Sequence, residues 1–359
     1  MSTFADAYRR ASRDSAGVSG ALESADFINE VEIAIGMATD ALAKEAGRRA
    51  NVGVDYVKGN LAEVWHAETL NVSAVAKRAD DVFACAVGTN KTGQDVLYGS
   101  ASGTSQAELK YYKTAEETAR QLGNPAYSSG DKIVPSDQLD GVIAESMKQA
   151  ERNREGRPDV AAAYQNTADS VSDRLEVGGG ASSKPLSEAD AKGMATDFKR
   201  DGKIDPEDYG LNTEGFVEWS DIFRESGSAV LNAAAFSAAV TAAPHVHAIL
   251  AHYLKSGEFD PALMREGASQ VFSSAGAAAV RGGLAAVITG SCKAGLMGRS
   301  LKSVSPTAVG MATAMALNSI ENTWRYAQGE ISGKELAFLS SRDAVALIAG
   351  GGALRCWGR

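Results

Sequence analysis

Strand-like sequence in this chain is concentrated between Asp81 and Tyr112, whereas the segments on either side favour helices. Short apolar runs cover residues 82–87 and 95–98, and a third strand-like run, in which Glu108 and Lys110 alternate with apolar residues, covers residues 107–112. A Gly/Ser-rich turn at residues 99–105 separates the second run from the third. Together with the helical patterns before and after them, these runs predict the order helix, strand, strand, strand, helix.

Helical patterns flank this stretch on both sides. Ile28, Val31, Ile35, Ala38 and Leu42 recur at helical spacing, which predicts a packing helix from Phe27 to Ala46. A second helix is expected to begin near Gly59. Thr114, followed by two glutamates, is typical of the N-terminal cap of a helix that runs to Leu122.

Length and composition place these elements in a helix-rich α+β protein. A chain of 359 residues is expected to form more than one domain, and its low aromatic content with abundant Ala, Gly and Ser favours closely packed helices. We predict a domain of strands and helices in residues 1–125, a helical linker region in 126–226 and an all-α, Ala/Gly-rich bundle in 227–359.

The charge distribution and the cysteines constrain location and partners. Residues 1–226 carry a net charge of about −13 and residues 227–359 about +4, an asymmetry that suggests modules with different partners. The three cysteines are scattered, which argues against a disulfide framework or a structural zinc site. The N-terminus lacks the pattern of a secretory signal or an anchor. A cytoplasmic protein is therefore expected.

The C-terminal part differs from the rest of the chain in composition. Residues 228–254 contain no Asp, Glu, Lys or Arg, and the segment is long enough to span a bilayer, although Pro244 and three histidines make it only weakly hydrophobic. Glycines in the following helices, including Gly282 and Gly290, have spacings that permit close helix contact. These features predict a homo-oligomer formed through the C-terminal helices, with peripheral or integral membrane association as the alternative.

Four residues between Lys58 and Arg120 form a chemically suggestive constellation. Glu63 lies on the second helix, Asp95 begins the second strand, and Glu108 and Lys110 lie two residues apart on the third, so their side chains leave the same face. Asp95 and Glu108 could hold Mg²⁺ or Mn²⁺ with open positions. The Lys110 ammonium could orient an attacking water or stabilise developing negative charge on a phosphoryl group.

Residues 55–122 therefore resemble the PD-(D/E)XK, or restriction-endonuclease-like, nuclease superfamily. The glycine and glutamate at 59 and 63 look like the helical motif that precedes the sheet in that family. Asp95 looks like its metal-binding Asp, although Gln94 stands where the family often has Pro, and Glu108 with Lys110 resembles its Glu-x-Lys pair. The resemblance implies a small mixed sheet flanked by helices, the restriction-endonuclease-like fold, in residues 1–125. It also implies Glu63 and Lys110 as catalytic residues, Asp95 and Glu108 as metal ligands, and Mg²⁺ or Mn²⁺ as cofactor.

Three further residues are candidates for contacts with backbone phosphates. His66 lies one helical turn after Glu63, although a structural role is the commoner one for such a histidine. Lys113 and Arg120 follow the Glu-x-Lys strand, and the alternative for both is a charge-balanced helix surface.

Other chemistries find little support. Ala101 occupies the position that a serine-hydrolase elbow reserves for Ser, and neither a dinucleotide fingerprint nor a P-loop occurs. Residues 197–208 resemble a calcium loop, but Lys199 occupies a ligand position and a turn between helices is the better interpretation.

The sequence thus favours a metal-dependent nuclease whose partner is nucleic acid, with DNA favoured over RNA. A biological role as an effector of phage defence or of a mobile element is suggested by analogy alone. A membrane-associated or pore-forming protein that acts through the C-terminal helices is the alternative. A non-enzymatic scaffold is the third hypothesis.

Overall fold

The strands predicted between residues 81 and 112 form one side of a five-stranded mixed sheet. In this computed structural model, the structure describes residues 4–88, 95–127, 130–225 and 277–339, together with scattered residues between 241 and 266. Strand order is β1-β2-β3-β4-β5, from Phe83–Ala86, Val96–Ser100, Gly103–Leu109, Asp131–Ile133 and Val171–Ser172. The first three strands pair antiparallel, whereas β4 runs parallel to β3 and β5 runs parallel to β4.

Helices precede, interrupt and follow this sheet. They are α1 (Phe4–Arg48), α2 (Val54–Lys77), α3 (Ala115–Leu122), α4 (Leu139–Asn153), α5 (Pro158–Ser170) and α6 (Glu188–Asp201). The predicted helix, strand, strand, strand, helix order is α2, β1, β2, β3, α3. The protein is therefore a helix-rich α+β protein with a small mixed sheet.

Two local predictions are confirmed at residue level. All five apolar residues of the predicted stripe on α1 are buried, since none is more than 8% exposed. At α3, the Thr114 side chain accepts a hydrogen bond from the Glu117 backbone N–H, which satisfies a donor that the helix cannot pair internally.

The hairpin between β2 and β3 is tighter than the predicted turn. Ser100 pairs directly with Gly103, so only Ala101 and Ser102 form the loop, and β3 begins four residues before the predicted start at Ala107. A side chain at Gly99 would collide with the backbone at Gly103, so the absence of a Cβ allows the two strands to approach. The Gly/Ser composition marked a real turn but overstated its length.

The chain divides into two compact units that differ from the predicted domains. The first, which we call the sheet unit, is Glu30–Phe216, and the second, the helical unit, combines Met1–Asn29 with Val217–Arg359. The predicted boundary at residues 125 and 126 falls inside the sheet unit, because β4 and β5 from the expected linker region complete the sheet. Strands of three and two residues are too short to show the period that identifies a strand.

The described part of the helical unit includes α7 (Trp219–Glu225), α8 (Ala277–Ala294), α9 (Arg299–Lys302) and α10 (Pro306–Ala327). Its core includes Leu284 and Ile288 of α8 and Ala316 and Ile320 of α10. A side chain at Gly290 would collide with Ile222, so this glycine permits the close helix contact expected from its spacing. Within the described parts of the chain, no helix is long and apolar enough to cross a bilayer. Most of residues 228–254 lie outside the described residues.

Replacing Gly123 by Ala is expected to destabilise the sheet unit by about 1–3 kcal/mol, because the new Cβ would overlap the ring of Tyr164. The matched control is Gly59→Ala in α2, where nothing lies within 4 Å of the added carbon. That change should stabilise the protein by about 0.5–1 kcal/mol through the higher helix propensity of Ala. Urea unfolding of both variants measures the difference, and equal effects would contradict the packing at Gly123.

Candidate active site

Asp95, Glu108 and Lys110 come together where β2 begins and β3 ends. Asp95 immediately precedes β2, and its backbone N–H donates to the Ala107 carbonyl across the antiparallel pair, at 3.0 Å. The Asp95 Oδ2 atom accepts a hydrogen bond of 2.8 Å from the Leu109 N–H. The register of the hairpin thus brings Asp95 beside the Glu-x-Lys segment.

The Lys110 ammonium group contacts the carboxylates of both Glu108 and Asp95. Its Nζ donates to Glu108 Oε1 and lies 3.6 Å from Asp95 Oδ2. Side-chain exposures are only 4% for Glu108 and 17% for Lys110, so water screens this contact weakly. Burial acts to lower the pKa of Lys110, but Asp95 and Glu108 outweigh it and raise the pKa above its ordinary value. Lys110 is therefore a cation at neutral pH.

Glu63, on α2, is electrostatically coupled to two of these residues, Asp95 and Lys110. Burial raises the pKa of its carboxyl group to about 8, and the negative charge of Asp95 adds to the increase, while Lys110 and Arg49 act to lower it. Residues separated by up to 47 positions in the sequence are therefore electrostatically coupled. We call Glu63, Asp95, Glu108 and Lys110 the carboxylate–lysine cluster.

Tyr127 is a neighbour of the carboxylate–lysine cluster that the sequence analysis did not identify. It lies in the short 3₁₀ helix Pro125–Tyr127, and the Lys110 Nζ is 5.0 Å from the centroid of its ring. A cation at this distance from an aromatic face is attracted by the ring quadrupole. No local pattern marks Tyr127, because its role depends on where β3 and the 3₁₀ helix meet in space.

His66 lies in the core rather than at the surface of the site. It is fully buried, with Nδ1 2.9 Å from Ser183 Oγ and Nε2 2.8 Å from Tyr111 Oη. Burial lowers the pKa of its ring to about 3, so the ring is neutral at physiological pH. This geometry favours the structural role over the predicted phosphate contact.

Lys113 and Arg120 are both exposed, as a phosphate contact requires. Lys113 follows β3 and contributes to lowering the pKa of Asp55, after the larger effects of Lys192. Arg120 lies in the last turn of α3. Exposure fits a solvated surface equally well, and the contacts with nucleic acid stay predictions.

The donor set of the cluster suits a small divalent cation. Mg²⁺ is commonly held by one or two carboxylates and retains several waters. Asp95 and Glu108 therefore provide the type and number of protein ligands that such a site needs. Burial is the larger cause of the raised Glu63 pKa, and the negative charge of Asp95 adds to it, so a cation bound by Asp95 would favour the ionised form of Glu63. Among the described residues, no group of three or more His, Cys, Asp or Glu side chains is arranged to hold a metal ion. The fit therefore rests on the two-carboxylate pair with water.

Residues 197–208 form the turn favoured over a calcium loop. Helix α6 ends at Gly202, whose backbone is left-handed, and Arg200 pairs with both Asp197 and Asp201. The Tyr209 hydroxyl also donates to Asp197. These contacts occupy the acidic side chains within the turn.

Comparison of the chain with known protein families, with curated proteins and with solved structures gave no match.

Proposed function

We propose that the sheet unit is a metal-dependent nuclease of the PD-(D/E)XK kind that hydrolyses phosphodiester bonds in nucleic acid. The observation that carries this proposal is the contact of Lys110 with both Asp95 and Glu108 at one end of β2 and β3, with Glu63 on α2 electrostatically coupled to Asp95 and Lys110. The helix, strand, strand, strand, helix order around the cluster and the mixed sheet support a restriction-endonuclease-like fold.

The residues of the cluster divide the chemistry between them. Asp95 and Glu108 would hold Mg²⁺ or Mn²⁺. When bound, the ion would supply Lewis-acid activation of the phosphoryl group and of a water. Lys110, held as a cation by its two carboxylate neighbours, stabilises negative charge that develops on the phosphoryl oxygens.

Glu63 supplies a base of suitable strength. A carboxyl group with a pKa of about 8 is far more basic than an ordinary glutamate, and general bases are most effective when their pKa lies near the working pH. In its ionised form Glu63 accepts a proton from the attacking water. The water oxygen then forms the new bond to phosphorus while the bond to the leaving sugar oxygen breaks.

DNA is the proposed preferred substrate over RNA, and exposed Lys113 and Arg120 are the proposed backbone contacts. Assembly into a homo-oligomer through residues 227–359 is a separate proposal. It is supported by the Ala/Gly-rich composition of these residues.

The test is cleavage of plasmid, linear DNA and RNA by the full chain with Mg²⁺, with Mn²⁺ and with EDTA. Asp95→Asn is the informative variant, because the amide oxygen can still accept the Leu109 N–H while the negative charge is lost. We expect metal-dependent cleavage that falls about a hundredfold in this variant.

Asp140→Asn, at an exposed position of α4, is the matched control and should cleave like the wild type. Absence of cleavage of all substrates with either metal would count against the nuclease and favour the scaffold hypothesis. Equal activity in Asp95→Asn and in the wild type would place the chemistry elsewhere.

A further inference from the structure

A buried chain of hydrogen bonds connects α2 to the residue that follows Lys110. His66 lies one helical turn after Glu63, and Tyr111 directly follows Lys110 in the sequence. The two side chains meet at 2.8 Å between His66 Nε2 and Tyr111 Oη. One contact therefore bridges the two elements that carry Glu63 and Lys110.

The partners of Ser183 and Tyr111 determine which group donates and which accepts in each of these hydrogen bonds. The Leu175 backbone N–H donates to Ser183 Oγ at 2.8 Å, and the Tyr111 hydroxyl donates to the Leu186 carbonyl at 3.2 Å. Since Tyr111 uses its proton on Leu186, its oxygen accepts from His66 Nε2–H. The Ser183 hydroxyl then donates to His66 Nδ1.

Only one neutral tautomer satisfies all of these groups. With the proton on Nε2, the two ring nitrogens and the two hydroxyl groups all have partners. With the proton on Nδ1 instead, Tyr111 would have to turn its proton from Leu186 to His66, and the Ser183 proton would lose its acceptor. A buried donor or acceptor left without a partner costs about 1–3 kcal/mol.

The same face of α2 holds the segment that contains Ser183. The Trp65 indole N–H donates to the Lys184 carbonyl at 2.9 Å, and Thr69 Oγ1 accepts from the Lys184 N–H at 3.0 Å. Ser73 Oγ accepts from the Ser182 N–H at 3.2 Å. These hydrogen bonds hold segment 182–186 against α2, and both His66 and Tyr111 bond to this segment.

We propose that His66, Ser183 and Tyr111 form a positioning strut, which holds Glu63 on α2 at a fixed separation from the Asp95 and Lys110 end of the sheet. This role rests on the proposed function for its effect on cleavage, but the strut itself is a structural arrangement that can be tested without activity. His66 acts through Glu63 and does not touch substrate.

The decisive variant is Tyr111→Phe, which removes one hydroxyl group and leaves the ring in place. Its matched control is Tyr98→Phe, because both tyrosines are 6% exposed in the same unit and Tyr98 donates to Asp131 outside the strut. Both variants should lose stability. Only Tyr111→Phe should lower kcat, by about tenfold or more with KM changed less than twofold, since a misplacement of about 1 Å can cost a hundredfold in rate.

Two readouts separate failure of the strut from failure of the nuclease. Nitrogen-15 NMR of the histidines, with His66 assigned by its loss in His66→Gln, should show the Nε2–H tautomer in the wild type. Crystal structures should show that the Glu63 and Asp95 carboxyl groups move relative to one another by about 1 Å in Tyr111→Phe and not in Tyr98→Phe. These results support the strut even if the wild type cleaves nothing. An Nδ1–H tautomer, an unchanged carboxyl separation, or equal kcat in a cleaving wild type and in Tyr111→Phe would overturn it.

Discussion

Lys110→Met is expected to reduce metal-dependent cleavage about a thousandfold and to destabilise the sheet unit by about 3 kcal/mol. The loss of activity follows from removal of the cation that faces the developing phosphoryl charge. The loss of stability follows from removal of the ammonium group that contacts the buried Glu108 carboxylate. Single-turnover cleavage and urea unfolding at pH 7 measure the two effects separately.

A double variant isolates the contribution of Lys110 to stability, although it also removes the carboxylate of the proposed metal ligand Glu108. Glu108→Gln with Lys110→Met removes both charges, so most of the lost stability should return because the buried carboxylate is removed together with the ammonium group that contacts it. Activity should not return. Lys148→Met on α4 is the surface control: its side chain is 70% exposed in a pair with Glu145, and its effect should lie within about 0.5 kcal/mol. Recovery of cleavage in the double variant would refute a catalytic role for Lys110.

Glu63→Gln is expected to stabilise the protein at pH 8 by about 4 kcal/mol and to leave its stability nearly unchanged at pH 4. The folded-state pKa of Glu63 is about 8, above the ordinary value of 4.5, so the folded chain holds a proton that the unfolded chain releases between these pH values. The contribution of Glu63 to stability is therefore fully present below pH 4.5 and is lost as the pH rises through 8. Glutamine is neutral throughout and removes this dependence.

Unfolding by urea between pH 4 and pH 9, in EDTA to exclude divalent cations, measures the effect. Glu151→Gln is the control, because its side chain is 65% exposed and pairs with Arg154 on the surface of α4. Its stability profile should run parallel to that of the wild type. Parallel profiles for Glu63→Gln and the wild type would contradict the burial of the Glu63 carboxyl beside Asp95. Cleavage by Glu63→Gln should fall as well, since an amide cannot accept a proton from water.

Features that depend on neighbours in the sequence could be predicted well. The apolar stripe on α1, the Thr114 cap and the existence of three strands between residues 81 and 112 all follow from local periodicity or local hydrogen bonding. Glu108 and Lys110 make contact because residues two apart on a strand share a face. Each of these features involves residues only a few positions apart, so the local sequence carries the information.

The limits of the sheet unit and the chemistry of its site depended on contacts between distant residues. Strands β4 and β5 join the sheet through pairing with β3 and with each other, so the unit extends to Phe216. For His66 the sequence left open a phosphate contact beside the commoner structural role, and the structure buries it against Tyr111 and Ser183, 45 and 117 residues away.

The sequence by itself determined which residue types could form a carboxylate and lysine site, and on which local elements they lie. Only the tertiary structure decided that Glu63 is electrostatically coupled to Asp95 and Lys110, that its pKa rises to about 8, and that His66 is buried in the core. The physical reason is that burial and the electric field at a residue are set by whatever the whole chain packs around it. Periodicity and spacing report only the few residues on either side.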